Sequence, residues 1–243
     1  MAIEDLSQFE LFQGILDLIS LGITIFVGLK IISKYTNFKR IEFITVGLMM
    51  IFISSPWWGC NISFILILFF NTEISDSLYI FISFGLIPLS VLFWLYSFCH
   101  LTYPKSKWKI ISIWLIISIV YEIFFIIFLF TDPTLLAIRK TRIDSETQPY
   151  VSLYSLGSLI ISIITNSIFF KKCLKSDNER VQWMGKFILI AFILFMIGAF
   201  LDSAISLNPI ALLITRIILV ASSVLGYIGW TMPDRVAKWL VKE

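Results

Sequence analysis

Long uncharged stretches, separated by short polar segments, run along almost the whole chain. A helix needs roughly 20 apolar residues to cross about 30 Å of hydrocarbon. Stretches of this length occur near 11–33, 41–70, 75–101, 108–131, 150–170, 182–205 and 208–231. The pattern predicts an all-α, polytopic membrane protein: one domain over residues 1–243 with seven transmembrane helices and an interfacial tail at 233–243.

The composition agrees with this pattern. Hydrophobic residues make up 58% of the chain, charged residues only 14%, and the mean hydropathy is +0.93, which is too apolar for a water-soluble core of this size. The start, MAIEDLSQFE, lacks the basic segment of a cleaved signal peptide, so we expect the first span to be retained. The predicted location is therefore a cell membrane, with multiple passes.

Basic residues are distributed unequally between the two ends of the predicted bundle. Arg139, Lys140 and Arg142 lie between spans four and five, Arg216 lies inside span seven, and all the others among the 19 Lys and Arg fall at the opposite end. The positive-inside rule then predicts the N-terminus outside and the C-terminus inside. The net charge of +3 reflects this topology and contact with membrane lipids; no pattern indicates a nucleic-acid partner.

Two features predict departures from straight helices and short loops. Pro56 with Gly59 in span two, and Pro88 in span three, predict kinks because proline removes an intrahelical hydrogen bond. The connection at 131–150 is longer than most loops, which leaves two interpretations open: a folded lid or binding loop, or a solvated loop of mixed charge.

Ionisable residues inside the spans are the strongest candidates for a site, because a charge in hydrocarbon is normally paired or hydrated. With the predicted topology, Asp17, Glu122, Asp202 and Arg216 all fall in the outer half of the bundle. At ~1.5 Å per residue, Glu122 and Arg216 lie at nearly the same depth. We therefore predict a Glu122–Arg216 pair, with Asp17 or Asp202 as a second acceptor.

These charges permit two interpretations: an ion pair that only orients helices, or a polar pocket open to the outside. In a pocket, the excess of carboxylates would favour a cation or amine, whereas a freed Arg216 would favour an anion. Three acids against one base favour the cation. The candidate ligand-binding residues are Arg216, Glu122, Asp17, Asp202, Trp57 and Trp58.

Catalytic and cofactor signatures are missing from the sequence. Span seven lacks the lysine that a retinal Schiff base requires, and His100 has no metal-ligand spacing around it. An intramembrane enzyme would have to use Asp17, Glu122 and Asp202, and the spacing of these carboxylates does not match a catalytic motif. The cysteines Cys60, Cys99 and Cys173 lie in or at the inner ends of spans, so no external disulfide is expected. We predict no enzyme activity, no metal and no cofactor.

The stretch GLIPLSVLFWLYSFCHLTYPKSKWKIISIWLI, with FTDPTLLAI after span four, resembles the seven-helix sensor module at the N-terminus of some bacterial and archaeal histidine kinases. The resemblance covers about 60 residues and rests on Pro88, Phe93, Tyr103 and the position of the following basic loop. It implies an outward-facing sensory bundle. The kinase domains do not follow span seven, so such a sensor would signal through a separate cytoplasmic or membrane protein.

These observations favour a non-catalytic, receptor-like or sensory membrane protein with a polar cavity in its outer half and a small-molecule ligand from outside. A small transporter or channel is the alternative, although the inner half offers few polar residues beyond Asn166. An accessory subunit of a larger membrane complex is the third class.

Overall fold

The computed structural model describes residues 6–204 and 208–240, and helices dominate this part of the chain. The α-helices are α1 (Gln8–Phe38), α2 (Ile41–Phe52), α3 (Trp58–Ile65), α4 (Asp76–Phe84), α5 (Ile87–Thr102), α6 (Lys107–Thr131), α7 (Pro149–Leu174), α8 (Glu179–Ala204), α9 (Pro209–Thr231) and α10 (Asp234–Leu240). Two short strands, β1 (Ala137–Arg139) and β2 (Ser145–Thr147), form the one sheet of the described residues.

Seven helical segments are long and apolar enough to cross a membrane, which confirms the predicted number of spans. The spans cover Gln8–Phe38, Ile41–Phe70, Asp76–Thr102, Pro104–Thr131, Pro149–Leu174, Glu179–Ser203 and Pro209–Thr231. The chain is thus an all-α polytopic membrane protein with a small β-hairpin between spans four and five. The predicted interfacial tail contains α10; residues 241–243 of it lie outside the described residues.

Spans two and three are both broken where proline was expected to kink them. In span two, α2 ends at Phe52 and a 3₁₀ turn at Ser55–Trp57, with Pro56 in it, leads into α3. In span three, α4 ends before Gly85 and Pro88 lies in the first turn of α5, where its missing N–H costs nothing. These breaks confirm both predicted kinks.

Six of the seven spans form a closed ring. α1 packs against α2 and α9, α2 against α5, α5 against α7, α7 against α8, and α8 against α9. Span four, α6, packs on the outside of span three, through α5 and α4. Its outer face carries exposed apolar side chains such as Ile116 and Phe130, as expected for a face that meets lipid.

The connection between spans four and five folds as a β-hairpin that docks on the bundle, and we call it the lid. β1 and β2 pair antiparallel with Ala137 opposite Thr147, and the turn between them directs Ile143 into the bundle, where it is fully buried. Ile143 packs in one cluster with Cys60 and Phe64, and its carbonyl accepts a hydrogen bond from the Tyr79 hydroxyl at 3.3 Å. The solvated-loop interpretation is therefore wrong. We call this end of the bundle the hairpin end, and the end with α10 the tail end.

Candidate functional site

Arg216 lies near the hairpin end of α9 and is bound by two carboxylates. Its Nε donates to Asp17 Oδ1, and its Nη1 donates to Asp202 Oδ1 at 2.6 Å. The exposed fractions of the three side chains are 4% for Arg216, 1% for Asp17 and 19% for Asp202. A guanidinium has several N–H donors in a fixed planar arrangement, so one arginine can donate to carboxylates from two different helices.

Two further side chains complete this group. The indole Nε1 of Trp57 donates to Asp202 Oδ2 at 2.7 Å, and the thiol of Cys60 donates to Asp17 Oδ2 at 3.1 Å. The Arg216 guanidinium also lies 5.8 Å from the centre of the Trp57 ring. We call these five residues the arginine cluster.

The local folding of span two explains how Trp57 and Cys60 reach the cluster. Since Pro56 breaks the helix, Trp57 lies in a 3₁₀ turn and Cys60 in the first turn of α3. α1, α8 and α9 supply the three charged side chains, because α9 packs between α8 and α1. The cluster therefore ties four spans together at the hairpin end.

The predicted Glu122–Arg216 pair is wrong. Glu122 belongs to α6, which lies outside the ring, whereas Arg216 points to α1 and α8 inside it. Glu122 is half-buried, and the described residues offer it no hydrogen bond or ion pair. The predicted second acceptors, Asp17 and Asp202, are the actual partners. Equal depth in the membrane did not place the two residues on facing sides of their helices.

The two candidate tryptophans differ in their environment. Trp57 belongs to the arginine cluster and also lines a cavity next to it. Trp58 instead donates to the Ser54 hydroxyl at 3.2 Å and packs on Phe52, with ring centres 5.8 Å apart. Trp58 does not line the cavity.

A cavity of about 90 Å³ lies inside the ring, next to the arginine cluster. All six ring spans contribute to its wall and α6 does not. A site of roughly 10–15 Å³ already holds a water, so this cavity has room for a molecule of several non-hydrogen atoms. Its polar wall residues are Ser20, Thr24, Ser54, Ser90, Ser162, Asn166, Ser222 and Ser223, and its aromatic ones are Trp57, Trp94, Phe192, Phe195 and Trp230.

The wall of this central cavity carries no charge among the described residues. Its hydroxyl groups mostly donate to helix carbonyls, for example Ser90 to Ile87 O and Ser222 to Ala191 O, both at 2.8 Å. A hydroxyl oxygen that has donated its proton keeps its capacity to accept. The cavity therefore presents acceptors and aromatic faces to an occupant.

Some of the cavity residues follow a polar pattern that is already visible in the sequence. Polar side chains at helical spacing in spans one, three and seven include Ser20, Thr24, Ser90 and Ser223, but hydroxyl residues in membrane helices are usually packing residues. Nothing in the sequence distinguished Trp94 or Trp230 from the tryptophans that lie at membrane interfaces. Cys60 had no predicted role in the site, because its partner Asp17 lies on another span.

No family model matches this chain, and no curated protein or solved structure is significantly similar to it. Within 6–204 and 208–240, no group of His, Cys, Asp and Glu has the arrangement of a metal site. The class of ligand must therefore be inferred from the geometry of the cavity and the arginine cluster.

Proposed function

We propose that this chain is a non-catalytic, receptor-like membrane protein that binds a small uncharged molecule in its central cavity. The observation that carries the proposal is the ring of six spans around a cavity whose wall is uncharged, aromatic and rich in hydrogen-bond acceptors. Sites for small molecules are concave and mostly apolar, with a few polar groups that fix orientation.

The chemistry of the wall defines the class of ligand. Burying an unpaired charge is costly, and both carboxylates near the cavity are already paired with Arg216, so a cation or amine is not favoured. Acceptor oxygens such as those of Ser90 and Ser222 favour a molecule with hydroxyl or N–H donors. The indoles of Trp57, Trp94 and Trp230 favour a ring or a compact apolar body.

In this proposal the hairpin end faces outside, as the distribution of Lys and Arg predicts, and the ligand enters beside the lid. Output would pass to a separate partner protein, as the resemblance to sensor modules implies. A reporter fused after Glu243 is expected to be active inside the cell, and one inserted next to Lys140 in the hairpin turn to be active outside. The reverse pattern would reject the proposed side of ligand entry.

Filling the cavity is expected to abolish retention of the ligand. A Cβ at Gly226 would make ordinary van der Waals contact with Met50 Cε, at 3.5 Å, and both residues line the cavity. The further carbons of Gly226→Leu would therefore take up space beside Met50. Native mass spectrometry of the gently purified protein should show a small-molecule adduct on the wild type and none on Gly226→Leu.

Gly22→Leu is the matched control, because a Cβ at Gly22 meets no atom within 4 Å. This variant makes the same chemical change on a helix face without close neighbours and should keep the adduct. A wild type without any adduct, or a Gly226→Leu protein that retains it at equal occupancy, would contradict the proposed site.

A small transporter is the second candidate, and one observation favours it. A second cavity, of about 340 Å³, opens at the tail end, and Ile188 and Trp230 line both cavities. Only a thin wall would then separate the central site from the opposite side. Flux of the molecule identified by mass spectrometry into proteoliposomes separates the classes, since a receptor carries none.

A further inference from the structure

The tail-end cavity lies between the ends of five spans and combines a basic rim with an apolar interior. Arg40, at the start of span two, and Lys172, near the end of α7, line it together with the buried Glu42. The interior is formed by aromatic and aliphatic side chains, including Phe169 and Met184. Its volume of about 340 Å³ exceeds that of the central cavity.

The charges at the rim leave donors for an anion. Lys172 Nζ donates to the carbonyls of Leu101 and Thr102, at 2.8 and 3.2 Å, which uses two of its three N–H groups. Arg40 has one contact with Glu42, at 3.4 Å, and its side chain is 56% exposed. Two cations against one carboxylate leave the rim with an excess positive charge.

The interior would not suit a small hydrated anion. Phosphate in water would have to lose its hydration shell against Phe169, Met184 and Trp230, which cannot replace the lost hydrogen bonds. A molecule with an anionic head and an alkyl chain satisfies both parts of the cavity, because its head meets the rim and its chain fills the interior. Basic pockets between membrane helices are suited to anionic lipid head groups for the same reason.

We propose that the tail-end cavity is a second binding site, specific for an anionic amphiphile whose phosphate or carboxylate head lies between Arg40 and Lys172 and whose alkyl chain packs against Phe169 and Met184. The site is separate from the central one and does not depend on the receptor proposal. Its ligand could be supplied as a membrane lipid or as a soluble single-chain compound, and both share this chemistry.

The test measures binding to the full-length protein in a neutral detergent. The probes are phosphatidylglycerol, phosphatidylcholine, dodecyl phosphate and inorganic phosphate. Native mass spectrometry and the shift of the melting temperature measure the binding of each probe. We expect phosphatidylglycerol or dodecyl phosphate to bind at least fivefold more tightly than phosphatidylcholine or inorganic phosphate. Binding of only the single-chain probe would support the site and identify a soluble source, whereas binding of phosphatidylglycerol would identify a lipid.

Lys172→Gln should weaken binding of the anionic amphiphile about fivefold, the factor expected for one basic residue at a membrane surface. Lys171→Gln is the matched control: it makes the same charge change on an exposed neighbour that does not line the cavity, and should leave binding unchanged. Because Lys172 also binds two carbonyls, Met184→Trp provides a second variant that fills the interior and keeps both cations. It should weaken binding by at least as much.

Three results would overturn the proposal. Equal binding of phosphatidylglycerol and phosphatidylcholine, together with no binding of dodecyl phosphate, would mean that the rim does not select anions. Equal losses in Lys172→Gln and Lys171→Gln would mean that only the general positive charge of this end matters. Unchanged binding in Met184→Trp would place the alkyl chain elsewhere.

Discussion

Replacing Arg216 with glutamine is expected to lower the free energy of unfolding by about 3–5 kcal/mol, the cost of removing one partner from a buried ion pair. The variant leaves the carboxylate of Asp17 buried without its cation, and it also removes the cation paired with Asp202, which keeps its hydrogen bond from Trp57. Reversible unfolding in mixed detergent micelles measures this loss. Asp17→Asn should cost less, because Arg216 then keeps Asp202.

A double-mutant cycle separates the observed cluster from the pair that depth predicted. Arg216→Gln combined with Asp17→Asn should show an interaction free energy of roughly 0.5–3 kcal/mol, as for residues in direct contact. Arg216→Gln combined with Glu122→Gln should be additive within about 0.5 kcal/mol, because Glu122 lies on α6 outside the ring. Coupling to Glu122 without coupling to Asp17 would refute the described cluster.

Replacing Ile143 with alanine is expected to undock the hairpin from the bundle. Ile143 is fully buried against Cys60 and Phe64, and truncation of such a side chain costs about 2–5 kcal/mol. Since the lid is a small unit at the surface, the loss should appear as local opening. Cys60 should then react with a membrane-impermeant maleimide at least tenfold faster, because about 1.4 kcal/mol changes an open population tenfold.

Peptide mass spectrometry can follow each cysteine of the same protein separately. Cys99 and Cys173, buried in the tail-end halves of α5 and α7, should react as in the wild type and serve as internal controls. Ile138→Ala is the matched variant, since Ile138 lies in the same hairpin but is 42% exposed. If Ile138→Ala accelerates Cys60 labelling as much as Ile143→Ala does, the plug at Ile143 is not what protects the thiol.

The arginine cluster lies between the lid and the central cavity and contacts both. Trp57 is the member of the cluster that reaches the cavity. Its Nε1 donates to Asp202, and its ring lines the cavity. Cys60 connects the lid to the cluster, since it packs against Ile143 and donates to Asp17. In the proposed receptor, a ligand that displaced the Trp57 ring would alter the packing of four spans, and such a difference in contacts is what shifts an equilibrium between two conformations.

Several features of this protein follow from its sequence alone. The length of each apolar run fixes the number of spans, and Pro56 and Pro88 fix the breaks in spans two and three, because these are properties of the local chain. A charge in hydrocarbon must be compensated, so the sequence also determined that Arg216 needs a carboxylate. Asp17 and Asp202 were among the acceptors predicted from it.

Only the tertiary structure decided which carboxylates those are. Depth is readable from sequence because a helix rises ~1.5 Å per residue, but the order of spans around the bundle and the rotation of each one depend on packing between distant segments. That packing places α6 outside the ring, and with it Glu122, while α9 lies between α1 and α8. The same packing gathers hydroxyl and indole side chains from six spans into one cavity, a grouping that no single helix encodes.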